Sequence, residues 1–211
     1  MKNYNKNLKL LTRNHVYSKE MEHDACGVGA IVSTEGKKSR IIVEYGIEAL
    51  KAVWHRGAVD ADGKTGDGAG IHLEIPKDFF IEKIEVTGHD YDNSEICVGM
   101  IFLPRNDYSA QESCKTIVES ELTKNNFSIY GWRQVPVNPK ILGQKALQTM
   151  PEIMQVLFKS NDKNLLDKNL ERKIYETRKK IENKAFQLSL NNFYICSISS
   201  KSIIYKGLYL A

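Results

Sequence analysis

Glu22-His23-Asp24-Ala25-Cys26-Gly27-Val28-Gly29-Ala30-Ile31-Val32 places a cysteine at a junction of small residues that runs directly into an apolar stretch. Small and β-branched residues at this density predict a short buried strand over 26–33, with glycines that let another backbone come close. A cysteine heading such a strand is most often core, because free cysteine packs as a small hydrophobe. Cys26 rises above that reading for a chemical reason. If the Ala25–Cys26 bond is cut, Cys26 becomes the amino-terminal residue. Its α-amine, with an ordinary pKa of about 7.7–8.0, then serves as general base for its own thiol. Nucleophile and base reside on one residue and no partner histidine is needed. On this reading residues 1–25, polar and without sustained periodicity, are a leader that is removed.

The second dense stretch is His55-Arg56-Gly57-Ala58-Val59-Asp60-Ala61-Asp62-Gly63-Lys64-Thr65-Gly66-Asp67-Gly68-Ala69-Gly70. Apolar residues Ile42, Tyr45, Ala49, Leu50, Val53 and Trp54 recur at helical spacing and predict an amphipathic helix over 39–54, capped by Ser39. That helix delivers His55 and Arg56 off its C-terminal end. A helix end of basic residues and a glycine is an ordinary arrangement. Arg56 is nonetheless the better binding residue, since a permanently charged, planar guanidinium holds a carboxylate in a fixed geometry.

Five glycines in residues 57–70 predict a loop whose backbone shapes a surface. A phosphate cradle is excluded. Five residues, not four, separate Gly57 from Gly63-Lys64-Thr65, and Asp60 and Asp62 put carboxylates where phosphates would sit. The spacing Asp60-x-Asp62-Gly63 also fails a calcium loop. The loop reads as a pocket wall facing the cysteine, with Asp67 as a candidate hydrogen-bond anchor.

The 211 residues carry a net charge of +4, too small and too dispersed to argue for nucleic acid or an anionic membrane. No apolar run approaches the roughly 20 residues of a membrane helix, and no secretory signal opens the chain. A cytoplasmic protein with reduced thiols is expected. Cys26, Cys97, Cys114 and Cys196 form no C-x-x-C pair, and His15, His23, His72 and His89 show no ligand spacing, so no metal site is predicted. Cys97, Cys114 and Cys196 fall in apolar runs and are expected to be buried and inert.

Further along, strands are predicted over 71–75, 96–103, 127–137 and 153–158, and helices over 77–85, 108–124, 140–149 and 170–187. Ile96–Leu103 is apolar throughout and reads as a central strand buried on both faces. A polar linker is expected over 160–169, and a final hairpin pairs 193–198 with 203–205 across Ser199-Ser200-Lys201. The class is mixed α/β without a convincing domain break.

Several of these stretches resemble the glutamine amidotransferase domain of the glutamate synthase large subunit. They are Asp24–Gly29, His55–Ala58, Ala61–Gly70, Leu142-Gly143, Met150–Ile153, Ile195–Ser200 and Tyr205–Gly207. His55-Arg56-Gly57 is common to class II amidotransferases, whereas the Ala61–Gly70 extension is more specific. The resemblance implies an N-terminal-nucleophile hydrolase fold, a four-layer αββα sandwich, with residues 1–25 as propeptide and residues 26–211 as the N-terminal portion of the domain. It implies that Cys26 attacks the side-chain amide of L-glutamine and that Arg56 lies in the glutamine pocket. The ammonia released would go to 2-oxoglutarate in a larger enzyme that holds FMN and an iron–sulfur cluster outside this sequence and works with a reductase subunit or ferredoxin. The family's asparagine–glycine oxyanion hole and its His-x-Arg-Phe-Ser-Thr-Asn stretch are not in these 211 residues. The domain is therefore expected to be incomplete at its C-terminus, and the alternative reading is a truncated, non-catalytic fragment.

Overall fold

The computed structural model describes residues 6–7, 9–10, 27–54, 57–165 and 167–208. In chain order the elements are α1 (Arg40–Ala52), β1 (Ala69–Glu74), α2 (Lys77–Val86), β2 (Cys97–Leu103), α3 (Tyr108–Lys124), β3 (Phe127–Gln134), a 3₁₀ turn (Pro139–Ile141), α4 (Gln144–Thr149), β4 (Glu152–Ser160), α5 (Asp167–Gln187), β5 (Tyr194–Ser199) and β6 (Ser202–Gly207).

The apolar run of β2 lies where such a strand must go, inside a sheet covered on both faces. The sheet order is β3-β4-β2-β5, with every neighbour antiparallel. On one face Cys97, Ile101, Val156, Phe158 and Ile195 meet Cys114, Val118 and Leu122 of α3 and Leu170, Ile174 and Ile181 of α5. On the other, Val98, Met100, Leu157 and Cys196 meet Phe80 and Ile84 of α2 and Ile203 of β6. β6 pairs with β1 as a second, two-stranded antiparallel sheet in which Leu73 stands opposite Ile203. The two sheets therefore face each other, and α3 and α5 cover the outside of the larger one, giving the helix, sheet and sheet layers of an αββα sandwich. α1 rests on β1, where Gly46 brings the helix against Ile71.

Local sequence explains the helix starts. Ser39 Oγ accepts from Ile41 N at 3.3 Å, and Asp107 Oδ1 accepts from Ala110 N at 2.9 Å. Pro76 ends the alternating β1 segment and begins α2, whose buried Phe80 and Ile84 match the expected inner face. Glu121, although charged, is buried on α3; its carboxylate is paired with Lys184 of α5, which locks the two helices together.

Four expectations are corrected. Gly27–Val32 forms no strand, and Val28 and Val32 are 94% and 77% exposed. Among the described residues no strand pairs with it, and an apolar run without a ladder to join has no reason to extend as a strand. The final strands are not a hairpin: β5 belongs to the four-stranded sheet and β6 to the two-stranded one, so Ser199-Ser200-Lys201 is a corner between layers. The predicted 140–149 helix divides into the 3₁₀ turn and α4, separated by Leu142-Gly143. Finally, Tyr45 on α1 and Trp54 just beyond its end face outward, at 49% and 68% exposure, while Val43 and Ile47 take the half-buried side.

Candidate active site

Cys26 and Arg56, with His55, lie outside the described residues. Immediately C-terminal to them, the structure defines the exposed Gly27–Val32 segment and the Gly57–Gly70 loop. α1 closes with Val53 N donating to Leu50 and Lys51 carbonyls, and Gly57 N then donates to Trp54 O at 3.0 Å. Trp54 and Gly57 are thus joined by a backbone bond just before the loop begins.

The loop is ordered by its own backbone. Val59 and Gly66 form an antiparallel bridge, Asp60 N donates to Thr65 O at 2.8 Å, and Gly63 N donates to Asp60 O at 2.9 Å. Within this small ring the Asp62 carboxylate is the hub. Oδ1 accepts from Lys64 N at 2.9 Å and Thr65 N at 2.7 Å, and Oδ2 accepts from Thr65 Oγ1 at 2.6 Å. The loop's amides thus already serve an internal carboxylate, in keeping with the exclusion of a phosphate cradle. The Thr65 hydroxyl, then the Thr65 and Lys64 amides, hold the Asp62 carboxyl well below the usual carboxylate range.

Two distant stretches meet this ring. Lys145 N donates to Asp62 Oδ2 and Ala146 N to Thr65 Oγ1, each at 3.4 Å. The Lys145 ammonium pairs with Asp60, which lowers the Asp60 pKa and raises that of Lys145. Gly143 is part of the fit, because a Cβ there would collide with Asp62 Oδ2 and Thr65 Oγ1. At the other end of the loop, Gly70 lies so close to β6 that a Cβ would fall 2.9 Å from both Lys206 Cβ and Tyr205 O. The stretches 61–70, 142–146 and 205–207 are therefore one assembly in space.

Asp67 is exposed, and among the described residues the side chain that anchors the loop is that of Asp62. Asp62, Thr65, Gly143 and Lys145 form a unit that the sequence did not disclose. The Asp62-Gly63 pair was a legible turn signal, since aspartate bonds backbone amides two and three residues on. Its partner 83 residues away was not.

Cys97, Cys114 and Cys196 are buried, as expected. Burial pushes all three thiols up, Cys114 to about 11. None of them is a ready thiolate at neutral pH. Among the described residues no group of three or more His, Cys, Asp or Glu side chains is placed to hold a metal ion. No helix among them is long and apolar enough to cross a membrane.

Facing antiparallel sheets with helices outside, and a glycine-rich loop fastened between the layers, are consistent with the N-terminal-nucleophile hydrolase class. Residues 26–211 match the class-II glutamine amidotransferases, and the chain belongs to that family. It is 52% identical to the glutamate synthase [NADPH] large chain of Azospirillum brasilense, over 97% of this chain and 14% of that protein. It is 39% identical to ferredoxin-dependent glutamate synthase 1 of Arabidopsis thaliana, over 89% of this chain and 12% of that protein. It is 38% identical to the ferredoxin-dependent glutamate synthase of Pyropia yezoensis, over 95% of this chain and 13% of that protein. The chain thus spans about an eighth of the length of these relatives.

Proposed function

We propose that this chain provides the glutaminase site of a glutamate synthase, with Cys26 as nucleophile and Arg56 as a substrate-binding residue of the glutamine pocket. The observation that carries the reading is that the family match opens on Cys26 itself. Removal of residues 1–25 gives that cysteine a free α-amine. The amine takes the thiol proton, and the sulfur forms a bond to the side-chain carbonyl carbon of glutamine. The C–N bond breaks and the nitrogen leaves as ammonia, carrying the proton returned by the amine. Water then cleaves the γ-glutamyl thioester, releasing glutamate and restoring the thiol.

In the whole enzyme the ammonia would be added to 2-oxoglutarate, with FMN and an iron–sulfur cluster held outside this sequence providing the redox chemistry. The relatives' names print NADPH for one and ferredoxin for the other, and either would serve as the electron source. A cytoplasmic setting fits this reading.

The test is the intact mass of the purified chain, together with glutamine hydrolysis by the wild type and by Cys26→Ser. Loss of residues 1–25, with ammonia release abolished in the serine variant, supports the reading. Ammonia release that survives the substitution sinks it. A second reading follows from the residues themselves, since the family's asparagine–glycine oxyanion hole is not among these 211 residues: by themselves they are non-catalytic. A mass that retains residues 1–25, together with no hydrolysis, selects that reading.

A further inference from the structure

Among the described residues, the bonds to the Asp62 carboxylate hold the loop to itself or to the segment 143–146. That segment offers two backbone N–H groups, at Lys145 and Ala146, and a glycine that leaves room for the ring. The loop so held starts at Gly57, the residue after Arg56, and Val59 of its bridge is three residues from that arginine. A side chain on a flexible loop loses binding energy to ordering, and a misplacement of about 1 Å costs up to about a hundredfold. The Lys145–Asp60 ion pair lies on the rim of the same contact and tightens it from outside.

We infer that Asp62 is a positioning residue for substrate binding. It clasps the Gly57–Gly70 loop to Gly143–Ala146 and thereby sets the geometry of the pocket wall that begins at Arg56. This rests on the glutaminase reading and adds to it: affinity for glutamine depends on a contact made by residues that never touch glutamine. The same contact explains why two stretches about 80 residues apart carry specific small and polar residues, since each side of the clasp excludes bulkier ones.

The experiment measures KM and kcat for glutamine hydrolysis in the full chain and in Asp62→Asn, Thr65→Ser, Thr65→Val and Gly143→Ala. Asp62→Asn, Thr65→Val and Gly143→Ala are expected to raise KM roughly tenfold with kcat within about twofold, while Thr65→Ser, which keeps the hydroxyl, stays near wild type. The double variant Asp62→Asn/Gly143→Ala is expected to match the worse single variant, because both break one contact. Glu121→Gln, in the helix layer beyond the larger sheet, controls for mere loss of stability and leaves KM unchanged. Unchanged KM in Asp62→Asn, or additive effects in the double variant, overturns the inference while leaving the glutaminase reading intact. A wild-type chain without glutamine hydrolysis overturns both.

Discussion

Glu171, on the second turn of α5, grips Ser200 at the corner between the two sheets: one carboxylate oxygen accepts from both the backbone N–H and the hydroxyl of Ser200, at 2.7 Å each. Its other oxygen accepts from Ser199 Oγ at 2.9 Å, and Ser199 Oγ in turn accepts from Lys201 N at 2.9 Å. The corner is where the chain leaves the four-stranded sheet to pair with β1, and a helix carboxylate holds it there. Hydrogen bonds to an ionised group contribute about 1.5–3 kcal/mol each, and here they are partly redundant. Glu171→Ala is expected to destabilise the fold by about 2–3 kcal/mol, lowering Tm by roughly 5–10 °C. Calorimetry on the two proteins checks this.

The close approach of β1 to β6 makes Gly70 intolerant of a side chain. Gly70→Ala sets a methyl group 2.9 Å from Lys206 Cβ and Tyr205 O, both belonging to a paired strand that has little room to retreat. Overpacking of this kind costs about 1–3 kcal/mol. A lower denaturant midpoint is expected. Faster hydrogen exchange should be confined to the β1 and β6 amides, and uniform exchange across both sheets would contradict the assignment.

The pairing of buried Glu121 with the partly exposed Lys184 ammonium makes stability pH-dependent with a definite sign. The hydrogen bond from Lys184 holds the Glu121 carboxyl below its ordinary value in the folded state. The pair's contribution is therefore fully present above the unfolded carboxyl pKa of about 4.3 and is lost as pH falls through the lower folded value. Glu121→Gln should cost about 1 kcal/mol at pH 7 and progressively less below about pH 4, as read from urea midpoints across pH.

If Cys26 is the nucleophile proposed above, thiol reactivity should separate it from the other cysteines. Cys97, Cys114 and Cys196 are buried with raised pKa values, so each should react slowly with iodoacetamide at about pH 7.5. A processed chain is expected to show one fast-reacting thiol, and Cys26→Ser should abolish it, leaving rates roughly a hundredfold slower until denaturant is added. Peptide mapping of the alkylated protein identifies the site. A fast thiol at Cys114 would contradict the structure.

Local chemistry made much of the molecule readable from its residues alone. The apolar run 96–103 had to be an interior strand, because no other placement hides both of its faces, and it is β2. Ser39 announced the start of α1 through a side-chain bond spanning two residues. The glycine-rich stretch was recognisable as a loop that refuses phosphate, because its own carboxylates claim the space. Chemistry alone also singled out Cys26 and Arg56 as the residues to test.

Tertiary structure decided the rest, because the controlling contacts span long stretches of chain. That β5 and β6 split between sheets shows only in the pairing of β6 with β1, and the corner between them is held by Glu171, 28 and 29 residues upstream of the serines it bonds. Which aspartate ties the glycine loop to 143–146 depends on Gly143 and Lys145, and among the described residues Asp62 takes that role. Gly27–Val32 shows the same limit from the other side, since its residues suit a strand but a strand exists only beside a partner. Short-range propensity is written residue by residue, whereas the choice among pairing partners is made only when distant backbone and side-chain groups compete for the same hydrogen bonds.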